Sequence, residues 1–145
     1  MQVKKTALLI LSVLSFIVTK GQDKMLSNAA QARGLSEKVA GLFKEKKVTV
    51  AIAELKQYWP IPSNEVDALE DKSIKYLNMV EERFGKAEET IKVKEETIKD
   101  VAMRETYLVK YENTAIRLIF TYYQNDKGWI LNAFKWDDNF SLEFK

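Results

Sequence analysis

Among its 145 residues the sequence has no cysteine and no histidine. Without cysteine there is no thiol nucleophile, no disulfide, no iron–sulfur cluster and no thiolate zinc site. Lipid attachment at a lipobox cysteine is excluded as well. Without histidine there is no serine–histidine triad, no imidazole metal ligand and no histidine proton shuttle. Any acid–base chemistry therefore falls to carboxylates, lysine, tyrosine or serine. Proline and glycine are also scarce, with two and five residues. What is present is ample apolar material: 46% of the residues are hydrophobic, 11% aromatic and 30% charged. That composition suits one globular domain and argues against disorder.

The beginning of the chain reads as an export signal. Lys4 and Lys5 precede the apolar run Ala7 to Val18. The run falls short of the roughly 20 residues that a membrane-spanning helix needs. A basic start, a short apolar middle and a small-residue end are the marks of a secretory signal peptide. Cleavage after Gly21 divides the chain into a signal, 1–21, and a domain, 22–145. It also changes the charge. The whole chain carries 23 basic and 21 acidic residues, a net +2. Lys4, Lys5 and Lys20 leave with the signal and no acid does, so the remainder has a net charge of −1. A near-neutral domain gives no electrostatic reason to expect nucleic acid. After cleavage no stable membrane span is expected, and the domain would sit in the periplasm or outside the cell.

Periodicity of about 3.6 predicts three helices. The first is expected between Lys24 and Lys46, with Leu35, Val39, Leu42 and Phe43 on one face and Gly34 as a point of kinking. The second is expected from Val48 to Tyr58, with Val48, Ile52, Leu55 and Trp59 as its stripe; a strand competes there, because Thr49, Val50 and Ile52 are β-branched. The prolines at 60 and 62 end it. The third begins at a Ser63 or Asn64 cap and carries Val66, Leu69, Ser73, Leu77, Val80 and Phe84. Gly85 supplies its C-terminal cap.

After Gly85 the period falls to 2. Thr90–Lys99, Met103–Tyr111, Ala115–Gln124 and Trp129–Asp137 are expected as four antiparallel strands. Gly128 is expected at the left-handed position of a bulged type I turn. Parity sorts the faces. Tyr107, Val109, Tyr111, Ile116, Leu118, Phe120, Tyr122, Ile130, Phe134 and Trp136 make the bulky face, which should meet the helices. Leu108, Lys110, Arg117, Ile119, Thr121, Tyr123, Leu131, Ala133 and Lys135 make the second. The register between the middle strands is left open. The tail, with Phe140, Leu142 and Phe144, adds a strand or folds back. The fold class is α+β: three N-terminal helices packed on a curved antiparallel sheet of about four strands.

Local phrases sharpen this. They are Arg83-Phe84-Gly85, Tyr107-Leu108-Val109-Lys110-Tyr111-Glu112, Ala115-Ile116-Arg117-Leu118, Phe120-Thr121-Tyr122-Tyr123, Gly128-Trp129-Ile130-Leu131-Asn132 and Phe134-Lys135-Trp136-Asp137-Asp138. Together, over about Val48 to Phe144, the chain resembles small, exported, functionally uncharacterised bacterial proteins of the nuclear-transport-factor-2-like, or cystatin-like cone, fold. The resemblance implies a cone fold and export. It implies no catalytic residues. Isomerases and dehydratases of the wider superfamily place Asp, Tyr or His in the cone. Here His is absent, and Asp137 at a strand end is the one Asp near an inward strand position.

Three constellations bear on function. Asp137-Asp138, with Asp126 and Asp100, supplies oxygens of the kind hard cations take. Their spacing does not match an EF-hand loop, and solvated hairpin ends explain them better, so neither a metal nor a cofactor is expected. Arg117 and Asp137 are expected as cross-strand partners, counted back from Gly128. They form either a structural ion pair or an anchor for an anionic ligand. Trp59, Tyr107, Phe120, Tyr122, Phe134 and Trp136 either fill the core or line a cavity for an apolar ligand.

The residues for a ligand site are therefore Trp59, Tyr107, Tyr122, Arg117 and Asp137. The second face gives an apolar patch of Leu108, Ile119, Leu131 and Ala133 rimmed by charge, which suits a twofold homodimer. The tail is the competing cover for that face. The reading is a non-enzymatic exported domain that binds a small molecule or a protein partner. The alternatives are an enzyme using Asp, Glu or Tyr as acid–base groups in the cone, and a structural dimer-forming protein.

Overall fold

The computed structural model describes residues 24–145. The expected signal peptide and its cleavage point at Gly21 lie outside the described residues. Three helices come first: α1 (Ala29–Lys44), α2 (Val48–Lys56) and α3 (Ser63–Phe84). Four strands follow: β1 (Ala87–Ile98), β2 (Ala102–Tyr111), β3 (Ala115–Asn125) and β4 (Gly128–Asp137). They form one antiparallel meander in the order β1-β2-β3-β4. The sheet is curved and open, and the arrangement is the α+β class that the change of period predicts.

The first helix starts five residues later than its hydrophobic spacing suggests. Asn28 caps it, its side chain accepting from the Gln31 N–H at 2.9 Å. Leu26 pairs instead with Trp129 in an isolated antiparallel bridge. The helix runs through Gly34 without a break. No side chain caps α3. Pro62 occupies the N-cap, and its carbonyl takes the Glu65 and Val66 N–H groups. Gly85 ends α3 with φ 88°, as its position predicts. A Cβ there would lie 2.6 Å from the Glu112 carboxylate.

Gly128 has φ 148°, outside the left-handed helical well expected of it. The position requires glycine for a second reason, since a Cβ at Gly128 would sit 2.8 Å from the Leu26 carbonyl oxygen. Asn125 shapes the hairpin, its side-chain oxygen accepting from the Lys127 and Gly128 N–H groups.

The middle strands pair Tyr107 with Leu118 and Val109 with Ile116, and β3 pairs Leu118 with Trp136. The bulky face meets the helices. Phe43, Ile52, Leu55, Leu77, Leu118, Phe120 and Tyr122 are buried in one cluster. Three register shifts interrupt the pairing; one falls at Glu88 near the start of β1, and the other two decide which side chains face the core. One of these two lies between Thr121 and Tyr122 in the β3–β4 register, where Asn132 is the extra residue of β4. Leu131 therefore turns into the core, fully buried opposite Tyr122, and Ile130 turns to the second face. This reverses the faces expected for those two residues. The other lies at Val93. It brings Lys92 and Glu95, three apart, onto the face of Tyr107 and Glu105.

The tail forms a single 3₁₀ turn, Phe140–Glu143, and folds back toward β3 rather than adding a strand.

Candidate functional site

Five of the six residues in the aromatic set, all but Trp136, are buried in the core. Phe134 stands at the centre, with Phe43, Trp59 and Phe120 around it at centroid distances of 5.5, 6.4 and 5.0 Å. Tyr107 meets Phe120 edge-on at 5.9 Å. Tyr122 is buried and shares a 2.7 Å hydrogen bond with the Ser36 hydroxyl of α1. Burial pushes its phenol up, and it pushes Tyr107 up to about 12. Trp59 is buried with its indole N–H unpartnered.

The five expected ligand residues do not converge. Trp59, Tyr107 and Tyr122 belong to the packed interior, and Arg117 and Asp137 lie on the opposite face of the sheet. Arg117 and Asp137 are cross-strand partners, as counting from Gly128 predicts. Arg117 donates from Nε at 2.9 Å and from Nη2 at 2.7 Å to the two Asp137 oxygens. Its Nη1 donates to Glu143 of the tail. The bidentate hydrogen bonds from Arg117 hold the Asp137 carboxyl below its ordinary range. An anion could reach Arg117 only by displacing Glu143.

The expected interface patch is interrupted. Leu131 has left it for the core, because of the Asn132 bulge. Ile119 is 7% exposed beside Leu142 of the tail. Leu108 remains half-buried, paired with Ile91, and Ala133 is exposed.

Two features were not reached from sequence. The first is Glu105, 0% exposed on the helix-facing side of β2. Its Oε1 lies 2.9 Å from the Lys92 ammonium, and its Oε2 has no hydrogen-bond partner. Lys92 also reaches Glu95 at 2.7 Å, and Arg33 of α1 meets Glu95 from the other side at 2.7 Å. Parity with Tyr107 and Tyr111 marks position 105 as inward. Its charge sets it apart from the apolar and aromatic residues that otherwise mark that face.

The second is a cleft of about 390 Å³ between α3 and β4. Leu69, Lys72 and Tyr76 form one wall, and consecutive residues from Phe134 to Asp138 form the other. Trp136 donates its indole N–H to Ser73 Oγ at 2.7 Å. Tyr76 donates to Asp138 at 2.6 Å and packs on Trp136 at 5.0 Å. That hydrogen bond raises the Tyr76 phenol above its ordinary value. Both aromatic groups are thereby fixed while their faces stay partly open. Neither Lys72 nor Lys135 has an ion-pair partner among the described residues. Trp136 belongs to the expected aromatic set. Its pairing with Ser73 was legible only as a serine within an apolar stripe.

Among the described residues no group of His, Cys, Asp or Glu could hold a metal ion, and no helix is long and apolar enough to cross a membrane. Protein-family models, curated proteins and solved structures give no match to this chain.

Proposed function

We propose that this chain is an exported binding domain of the nuclear-transport-factor-2-like type, with no chemistry of its own. Its ligand, a small molecule or a segment of a partner protein, enters the cleft between α3 and β4. The supporting observation is the immobilised pair Tyr76 and Trp136. Each polar group is already satisfied, by Asp138 and Ser73, so the rings offer a preorganised apolar surface. Mass spectrometry of material copurifying with protein secreted by its host tests this reading. Wild type should carry a bound species that Tyr76→Ala loses while keeping its circular dichroism. The same material on both, or none on wild type, overturns the assignment. Export is tested by N-terminal sequencing, which should begin near Gln22. Intact Met1 on the secreted protein would overturn it.

A homodimer through the second face is the other reading, and Ile91 beside Leu108 favours it. Both are incompletely covered and directly paired across β1 and β2. In that arrangement Phe140, Leu142 and Phe144 of the tail would contribute to the contact.

A further inference from the structure

The hydrogen bonds of β4 divide its edge into a used half and a free half. Trp129 exchanges both backbone bonds with Leu26, at 2.8 and 2.9 Å, and the Leu131 N–H donates to the Tyr58 carbonyl at 2.9 Å. The next outward groups follow from the ladder. Gln124 of β3 donates its N–H toward β2, to the Val101 carbonyl. Even-numbered residues of β3 therefore face β2, and Arg117, Ile119 and Thr121 face β4. Their partners Asp137, Lys135 and Ala133 face β3 in return. Phe134 and Trp136 must then point their N–H and C=O groups away from the sheet. Neither residue's backbone has a hydrogen-bond partner beyond the ladder among the described residues. The cleft is walled by consecutive residues of β4 from both faces, so it runs along this same edge.

We infer that the cleft's occupant is an extended peptide segment of a partner protein, added to β4 as a fifth strand. This rests on the reading of the cleft as the binding site. Two donors and two acceptors at strand spacing specify a backbone rather than a compact molecule. The side chains specify a pattern. Residues opposite Phe134 and Trp136 would point into the cleft, against Leu69 and Tyr76, and should be apolar. The residue between them lies opposite Lys135 on the other face. Lys135 has no ion-pair partner, and Asp137 beside it is already neutralised by Arg117. An acidic residue fits there. The motif is apolar–acidic–apolar. The β1 edge is guarded differently, by two register shifts and a row of Lys and Glu.

The probe is the acetylated peptide amide Thr-Val-Glu-Val-Thr, added to the isotope-labelled domain. The amides of Phe134 and Trp136 should exchange fast in the free protein and be protected on binding. N-methylation of the two valines should weaken binding by about tenfold or more, whereas N-methylation of the central Glu should not. Lys135→Glu should weaken this peptide by about fivefold and favour its Lys-centred counterpart. If all three methylated peptides bind alike, or the charge swap has no effect, strand addition is overturned. Copurifying small molecules lost on Tyr76→Ala would then leave the cleft reading standing alone. If the two amides are already protected without peptide and the protein sediments as a dimer, a second copy holds the edge and the inference fails.

Discussion

Lys92 reaches across from the edge strand β1 to Glu105 of β2, and the two ends of that ion pair lie in different media. The Glu105 side chain is wholly buried, while that of Lys92 is 36% exposed and also holds Glu95. The pair therefore responds unequally to losing either partner.

Lys92→Met should destabilise the domain by about 3 kcal/mol, because it leaves a buried carboxylate uncompensated. Glu105→Leu should cost less than about 1 kcal/mol or stabilise it. Lysine keeps Glu95 and solvent, and an apolar side chain of similar volume suits the site. Urea unfolding of both variants checks the asymmetry. Equal losses would mean that Glu105 has a further partner.

Ser36 and Tyr122 tie α1 to β3 by a 2.7 Å bond in the core. Tyr122→Phe should cost about 1 kcal/mol, since the Ser36 hydroxyl can still donate to the Ala32 carbonyl at 3.3 Å. Ser36→Ala should cost somewhat more, because it strands a buried phenol that has no second partner. The double variant should lose less than the sum, with a coupling of at least about 0.5 kcal/mol in a denaturation cycle.

These pairs show where sequence reasoning succeeds and where it stops. The strands and their faces were legible because Tyr107, Ile116, Leu118, Phe120 and Tyr122 alternate without interruption. Alternation cannot reveal a bulge. Asn132 is an ordinary residue on a strand, yet it reverses Leu131 and Ile130, which takes Leu131 out of its expected patch and Ile130 off the helix-facing side. Val93 does the same for Lys92 and Glu95, which look like successive charges on a solvated edge. The fixed aromatic wall depends on Ser73 and Asp138 meeting rings from distant elements, and no local pattern records such long-range pairing.

Acid should weaken the α1–β1 junction. Glu95 is held down to about 2, against an ordinary 4.5, first by the hydrogen bonds from Arg33 and then by Lys92. Its folded value lies below its unfolded one, so its contribution is complete above about pH 4.5 and is lost as pH falls through about 2. Solvent screening limits that contribution to about 1 kcal/mol. The stability gap between wild type and Glu95→Gln should close over this range in urea titrations. Arg33→Ala should raise the Glu95 titration midpoint followed by NMR. A gap that stays constant down to pH 2.5 would contradict the pairing.

The tail offers the last test, because it lies over Ile119 and Arg117 of the second face with little packing of its own. Phe144 is 77% exposed, and the firm attachment is Glu143 on Arg117. Arg117 keeps both Asp137 bonds if the tail is lost, so the ion pair survives truncation. Glu143→Gln should therefore cost only about 1 kcal/mol. Ending the chain at Asp138 should cost about 2 kcal/mol, the additional loss coming from exposure of Ile119. Ile119 lies diagonal to Leu108, which pairs with Ile91, so truncation joins three apolar side chains into one open strip. The shortened domain should bind a hydrophobic dye and associate with rising concentration in sedimentation velocity, while the full chain does so less. Adding Ile119→Glu to the shortened chain should abolish the association and leave circular dichroism intact. If truncation changes neither dye binding nor sedimentation, the tail is not the cover of this face.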